Sequence, residues 1–94
     1  MTTHFKTRLL SIDAWRGSEG SWEWNAWYTI EKGIFLPIGI TNRQLLKYAR
    51  DTLGILSKES KGKVCIEDDQ YNLVICVKSN KRPLFAFCYG EYQD

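Results

Sequence analysis

Hydrophobic and polar positions alternate with period two over most of this chain, and one stretch in the middle switches to helical spacing. In residues 6–15, Leu10, Ile12 and Ala14 share one parity, while Leu9, Ser11 and Asp13 share the other. A polar loop with two glycines follows at 17–21. Beyond it Trp22, Trp24, Ala26, Tyr28 and Ile30 fall on one side, against Glu23, Asn25, Trp27, Thr29 and Glu31 on the other. Such alternation predicts a strand with one face on a core, and the two stretches together read as a long hairpin whose register stays open. After a connector at 33–40 broken by Gly and Pro, Thr41 stands as an N-cap with Gln44 three positions on, the pattern of a capping box. Leu45, Leu46, Ala49 and Leu53 recur at helical spacing, and Gly54 stands where a helix-ending glycine belongs, with Ile55 beside it for the accompanying hydrophobic contact.

The last third reads as a three-strand meander. Val64, Ile66, Tyr71, Leu73, Ile75 and Val77 alternate, with Asp68-Asp69 as the first turn and Ser79–Arg82 as the second. Pairing about these turns sets Val64 against Leu73, Val77 against Leu84, Ile75 against Ala86 and Leu73 against Cys88. The expected fold is therefore α+β in the order β-β-α-β-β-β. It is an antiparallel sheet of about five strands with one helix packed on one face, in a single compact domain over 1–94.

That register leaves a second apolar face, made of Val74, Cys76, Phe85, Phe87 and Tyr89 with Cys65 and Asn72. A single short helix covers one face only, and soluble monomers rarely leave such a patch bare. The N-terminal hairpin, a second copy of the chain, or a different partner must cover it, and Val74, Cys76, Phe85, Phe87 and Tyr89 are the interface candidates. Trp22 and Trp24 are expected in the core. Trp27 lies on the polar parity, so it either packs on Leu9 across the hairpin or stands exposed. With Trp15 at the loop edge and Asn25, it is a candidate anchor for a partner or ligand.

Composition narrows the field further. Thirteen Lys and Arg oppose eleven Asp and Glu, a formal charge of +2 that fits neither an acidic nucleic-acid mimic nor a generic polyanion binder. The meander nevertheless gathers Lys58, Lys61, Lys63, Lys78, Lys81 and Arg82 at one end of the sheet, opposed there by Glu59. Glu67, Asp68, Asp69, Glu91 and Asp94 collect at the other end. The basic end suits a phosphate or an acidic protein surface, or is a set of solvated turn residues. Thirteen aromatic residues argue against disorder. No apolar run reaches the ~20 residues of a membrane span, and the first residues lack a signal-peptide core, so a cytoplasmic protein without membrane contact is expected.

Chemistry is sparse. Cys65, Cys76 and Cys88 are three isolated thiols in apolar runs and His4 is the only histidine, which leaves no zinc pattern and predicts no metal and no cofactor. Glu67-Asp68-Asp69 reads as a turn, and the glycines match no phosphate-binding fingerprint. No catalytic residues stand out; a thiol enzyme is the least favoured reading.

The stretches WEWNAW (22–27), DDQYNLVI (68–75) and RPLFAF (82–87) resemble small accessory proteins of tailed bacteriophages. The resemblance implies a compact, non-enzymatic binding protein of the host cytoplasm, an anti-defence factor or inhibitor that occupies a host or defence protein. As a homodimer it would use the apolar face. The alternative is a nucleotide or short nucleic-acid binder of the cyclic-nucleotide sponge type, with the basic end on phosphate and an aromatic ring on the base.

Overall fold

Leu9 and Leu10 are both buried although they point to opposite sides of one strand, and a strand apolar on both sides belongs in the middle of a sheet. The computed structural model, which describes residues 3–57 and 60–90, puts it there. The elements are β1 (His4–Arg16), β2 (Trp22–Pro37), α1 (Asn42–Asp51), β3 (Val64–Asp69), β4 (Asn72–Val77) and β5 (Pro83–Cys88). They form a five-stranded antiparallel sheet in the order β2-β1-β5-β4-β3 with one helix, an α+β arrangement. The N-terminal hairpin joins the sheet through β1, which pairs with β5 from Arg8↔Cys88 to Ser11↔Phe85.

α1 starts at the capping box. The Gln44 N–H donates to Thr41 Oγ1 at 3.1 Å, and the Thr41 N–H donates to Gln44 Oε1 at 3.0 Å. The helix closes at Thr52, and Gly54 turns the chain away with φ +65°. Leu45 and Ala49 pack on Leu9, Ile34, Leu36, Val64, Ile75 and Phe87 to make the main core. Thr7 is buried in β1, and its hydroxyl is satisfied by donating to the Ile34 carbonyl at 3.0 Å.

Two register expectations need correction. The first turn of the meander is Gln70-Tyr71, because β3 and β4 pair from Asp69↔Asn72 to Val64↔Val77. Gln70 takes the left-handed conformation at φ 53°. Moving the turn by two residues preserves parity, so Val64, Ile66, Leu73 and Ile75 still share a face. The second hairpin differs by one residue: Leu73 opposes Phe87, Val74 opposes Ala86 and Ile75 opposes Phe85. A one-residue slip reverses every side chain of β5. Its cause lies at the turn, where Lys81 is left-handed at φ 64° and Leu84 bulges between the pairs Cys76↔Pro83 and Ile75↔Phe85. Phe85 and Phe87 therefore lie on the helix side, with Phe87 0% exposed, while Val74 and Cys76 lie on the other side. The expected interface of Val74, Cys76, Phe85 and Phe87 does not exist as one surface.

The second face is closed by the chain itself. β2 carries three more residues than β1, taken up by three register breaks that leave its extra residue near Gly33, at Ile30 and at Trp27. Bulges bend and twist the strand that holds them. The outer part of the hairpin brings Ile12 and Trp24 against Leu10, Val74, Cys76, Ala86 and Cys88, and Val74 and Cys76 are each 3% exposed. At the tip, Trp22 Nε1 donates to the Asn80 carbonyl at 2.7 Å and pins the hairpin to the β4–β5 turn. Among the described residues no helix is long and apolar enough to cross a membrane.

Candidate functional site

The two edges of the sheet are built differently. β3 is six residues long and carries Glu67, Asp68 and Asp69, a charged edge of the kind that resists pairing with other chains. β2 is sixteen residues long and exposes Trp27, Tyr28, Ile30 and Phe35. Trp27 is 70% exposed and Tyr28 57%. Trp27 and Ile30 are bulge residues, lying between the pairs Ile12↔Ala26 and Ser11↔Tyr28 and between Leu10↔Thr29 and Leu9↔Glu31. The bulges break the parity that sequence alternation suggested and re-aim these side chains at solvent. Tyr28 and Ile30, expected in the core with Trp24, are thereby surface residues.

Trp15 and Asn25 occupy one face of the hairpin, as the pairs Trp15↔Glu23 and Asp13↔Asn25 require. Trp15 is 41% exposed and its Nε1 donates to Glu23 Oε2 at 3.0 Å, which fixes the indole. Trp15 and Asn25 share one face of the outer hairpin, Tyr28, paired with Ser11, continues that face, and Trp27 is the bulge residue next to Tyr28. Trp22 belongs to the other side of the hairpin. Its ring lies 4.1 Å from the Arg16 guanidinium carbon and 5.9 Å from that of Arg82, cation–π contacts that reinforce the pin to Asn80.

The basic end divides into two groups. Lys61 and Lys78 line a groove of about 770 Å³ between α1 and β3, together with Arg43, Lys47 and Arg50 of the helix. Lys63 braces it, since its carbonyl accepts from the Lys78 N–H at 2.8 Å. Lys81 turns to a different set of partners, with its Nζ 3.0 Å from Glu67 Oε1 and 3.5 Å from Cys65 Sγ. The hydrogen bond to Glu67, then that to Cys65, raises the Lys81 pKa. Arg82 is committed to the Trp22 contact. Lys58 lies outside the described residues. Arg43 and Arg50 lie on the helix rather than at the turns; with Lys47 they recur at helical spacing, the signal the sequence carries for this side of the groove.

Tyr89, expected beside Val74 and Cys76, packs instead edge-on to Phe5 at 6.0 Å and Tyr71 at 6.5 Å. Its hydroxyl lies 3.0 Å from Asp68 Oδ1 and 2.5 Å from the Gln70 carbonyl oxygen, two acceptors that share its single proton. Burial, then the bond to Asp68, raises its pKa. The Cys76 thiol is pushed up to about 11, mainly by burial. Among the described residues no three His, Cys, Asp or Glu side chains are grouped to hold a metal ion.

No known protein family, curated protein or solved structure matches the chain. The aromatic edge and the basic groove are therefore read from their own chemistry.

Proposed function

We propose that this protein is a binding protein that works by occupancy, docking a protein partner through the outer part of β2 with Trp27 as the central anchor. The observation that carries this reading is the bulge at Trp27. It places a large, stiff, amphipathic side chain in solvent on an edge strand of the sheet, where it can be covered by a partner. Tryptophan and tyrosine bury much area for little lost side-chain freedom, and they dominate the energetics of protein interfaces. Trp15, held by Glu23, and Asn25 lie on the same outer hairpin and would add polar contacts beside the anchor. A host or defence protein is the proposed partner, the setting that the resemblance of WEWNAW, DDQYNLVI and RPLFAF to phage accessory proteins would imply. A second copy of the chain is the other protein partner that this edge suits. Sealing of the sheet face by the hairpin removes the earlier reason for a dimer, so dimerisation would have to use β2.

The test is a photo-crosslinking amino acid placed at position 27 and, as control, at the exposed position Asp69 on β3, the opposite edge of the sheet. Discrete adducts in cells from position 27 alone are expected. Their size separates a self-adduct from a foreign partner. Adducts from neither site, or equally from both, would contradict the proposal.

A further inference from the structure

The groove between α1 and the start of β3 has no place in the protein-docking reading, and its chemistry is specific. Arg43, Lys47 and Arg50 stand at helical spacing on one side, Lys61 and Lys78 on the other, and Asp51 is the acidic side chain in its lining. Lys47 is shared with Asp51 through an ion pair of 2.7 Å. Five positive groups around one groove repel one another, and an anion between them turns that repulsion into attraction. A second observation points the same way. The Nε of Arg50 is buried and has no hydrogen-bond partner among the described residues. A buried charged donor without an acceptor is an unmet demand, and buried polar groups normally find a partner.

The walls also define what else the ligand carries. Leu46, Val64 and Ile66 form an apolar floor, and among the described residues no aromatic side chain lines the groove. A volume of about 770 Å³ holds a body larger than a lone phosphate. Arginine forks match phosphate oxygens in pairs, whereas the described lining offers no stacking ring and a single amide, Asn42, to meet a base. We infer that this groove is a binding site for a phosphate-bearing small molecule of nucleotide size, held by Arg43, Arg50, Lys61 and Lys78 through its phosphates and indifferent to its base. The site is independent of the aromatic edge, so either proposal can fail without the other.

Calorimetric titration of the full chain with ATP, GTP, AMP and pyrophosphate, at about 50 and about 200 mM salt, tests it. ATP and GTP are expected to bind alike, AMP more weakly, and all more weakly at the higher salt. Pyrophosphate equal to ATP would assign the site to phosphate alone and overturn the nucleotide-sized ligand. Lys61→Gln/Lys78→Gln, at two exposed positions that leave the fold intact, should weaken ATP by about ten- to hundredfold. Arg50→Gln should do the same, with its circular dichroism recorded to exclude misfolding. Lys6→Gln, outside the groove, should bind as the parent does. Absence of heat with all four ligands, or undiminished affinity in the double variant, would overturn the assignment.

Discussion

Trp24→Ala removes the part of the hairpin that lies on the second face of the sheet, and its consequences can be worked out from the packing. Trp24 pairs with Ala14 across the hairpin and packs half-buried on the cluster of Leu10, Val74, Cys76, Ala86 and Cys88. Truncating a fully buried tryptophan costs about 3–5 kcal/mol, and half that burial gives roughly 2 kcal/mol here. For a domain of this size that is a fall in Tm of about 8–15 °C. The loss is local as well as global, because the cover over Cys76 goes with the indole. In the parent protein Cys76 is 3% exposed and its thiol is pushed up to about 11, so it is both shielded and protonated near neutrality. A thiol reagent reaches it only when the face opens. Weakening the cover by roughly 2 kcal/mol should speed labelling of Cys76 about thirtyfold relative to the parent protein. The assay is timed alkylation under native conditions, with each cysteine followed by peptide mass spectrometry. A variant that loses its expected stability yet labels Cys76 at the parental rate would refute the idea that the hairpin seals this face.

Other perturbations probe other parts of the account. Phe87→Asp places a charge in the main core beneath α1, so it should yield an unfolded or insoluble chain by circular dichroism; a soluble, folded monomer would mean that Phe87 faces outward. The raised Cys76 pKa implies that the unfolded chain loses this proton at lower pH than the folded one. Its contribution is complete below pH 9 and is lost as pH rises toward about 11, on the order of 2 kcal/mol, and urea titrations of Cys76→Ala against the parent should show the shallower alkaline decline in the variant. Gly90→Ala brings a methyl group to 2.5 Å from Tyr71 Cβ, so the chain or the β3–β4 turn must shift; a loss of about 1–3 kcal/mol by thermal melting is expected, and an unchanged Tm would contradict that packing.

How far the sequence alone reveals this molecule depends on how local each signal is. The capping box of Thr41 and Gln44 involves two side chains and the backbone between them, so it was readable directly and stands as expected. The faces of β3 and β4 were readable too, because misplacing the turn by two residues leaves parity unchanged. β5 was not. Its orientation turns on a single bulge at Leu84, set by a left-handed Lys81, and no residue type announces either. β2 differs for the same reason twice over: alternation runs cleanly through Trp22–Ile30 in the sequence, while bulges at Trp27 and Ile30 break it in space. The cost fell on function. Phe85 and Phe87 were assigned to an interface although they build the core, and Tyr28 was assigned to the core although it stands in solvent. Trp27 came through because it disobeyed the pattern in the sequence as well. The groove escaped notice because its walls come from a helix face and two strand ends, and only folding brings Arg50 near Lys61.

The recognition surface can be tested through the four tryptophans of the chain, which sample its different environments. Uniform 5-fluorotryptophan labelling gives each a fluorine resonance, assigned by single Trp→Phe variants. On titration with cell extract, the lines of Trp27 and Trp15 should shift or broaden while those of Trp22 and Trp24, pinned at Asn80 and packed on the sheet, stay in place. A response led by Trp24, or none at Trp27, would contradict the account.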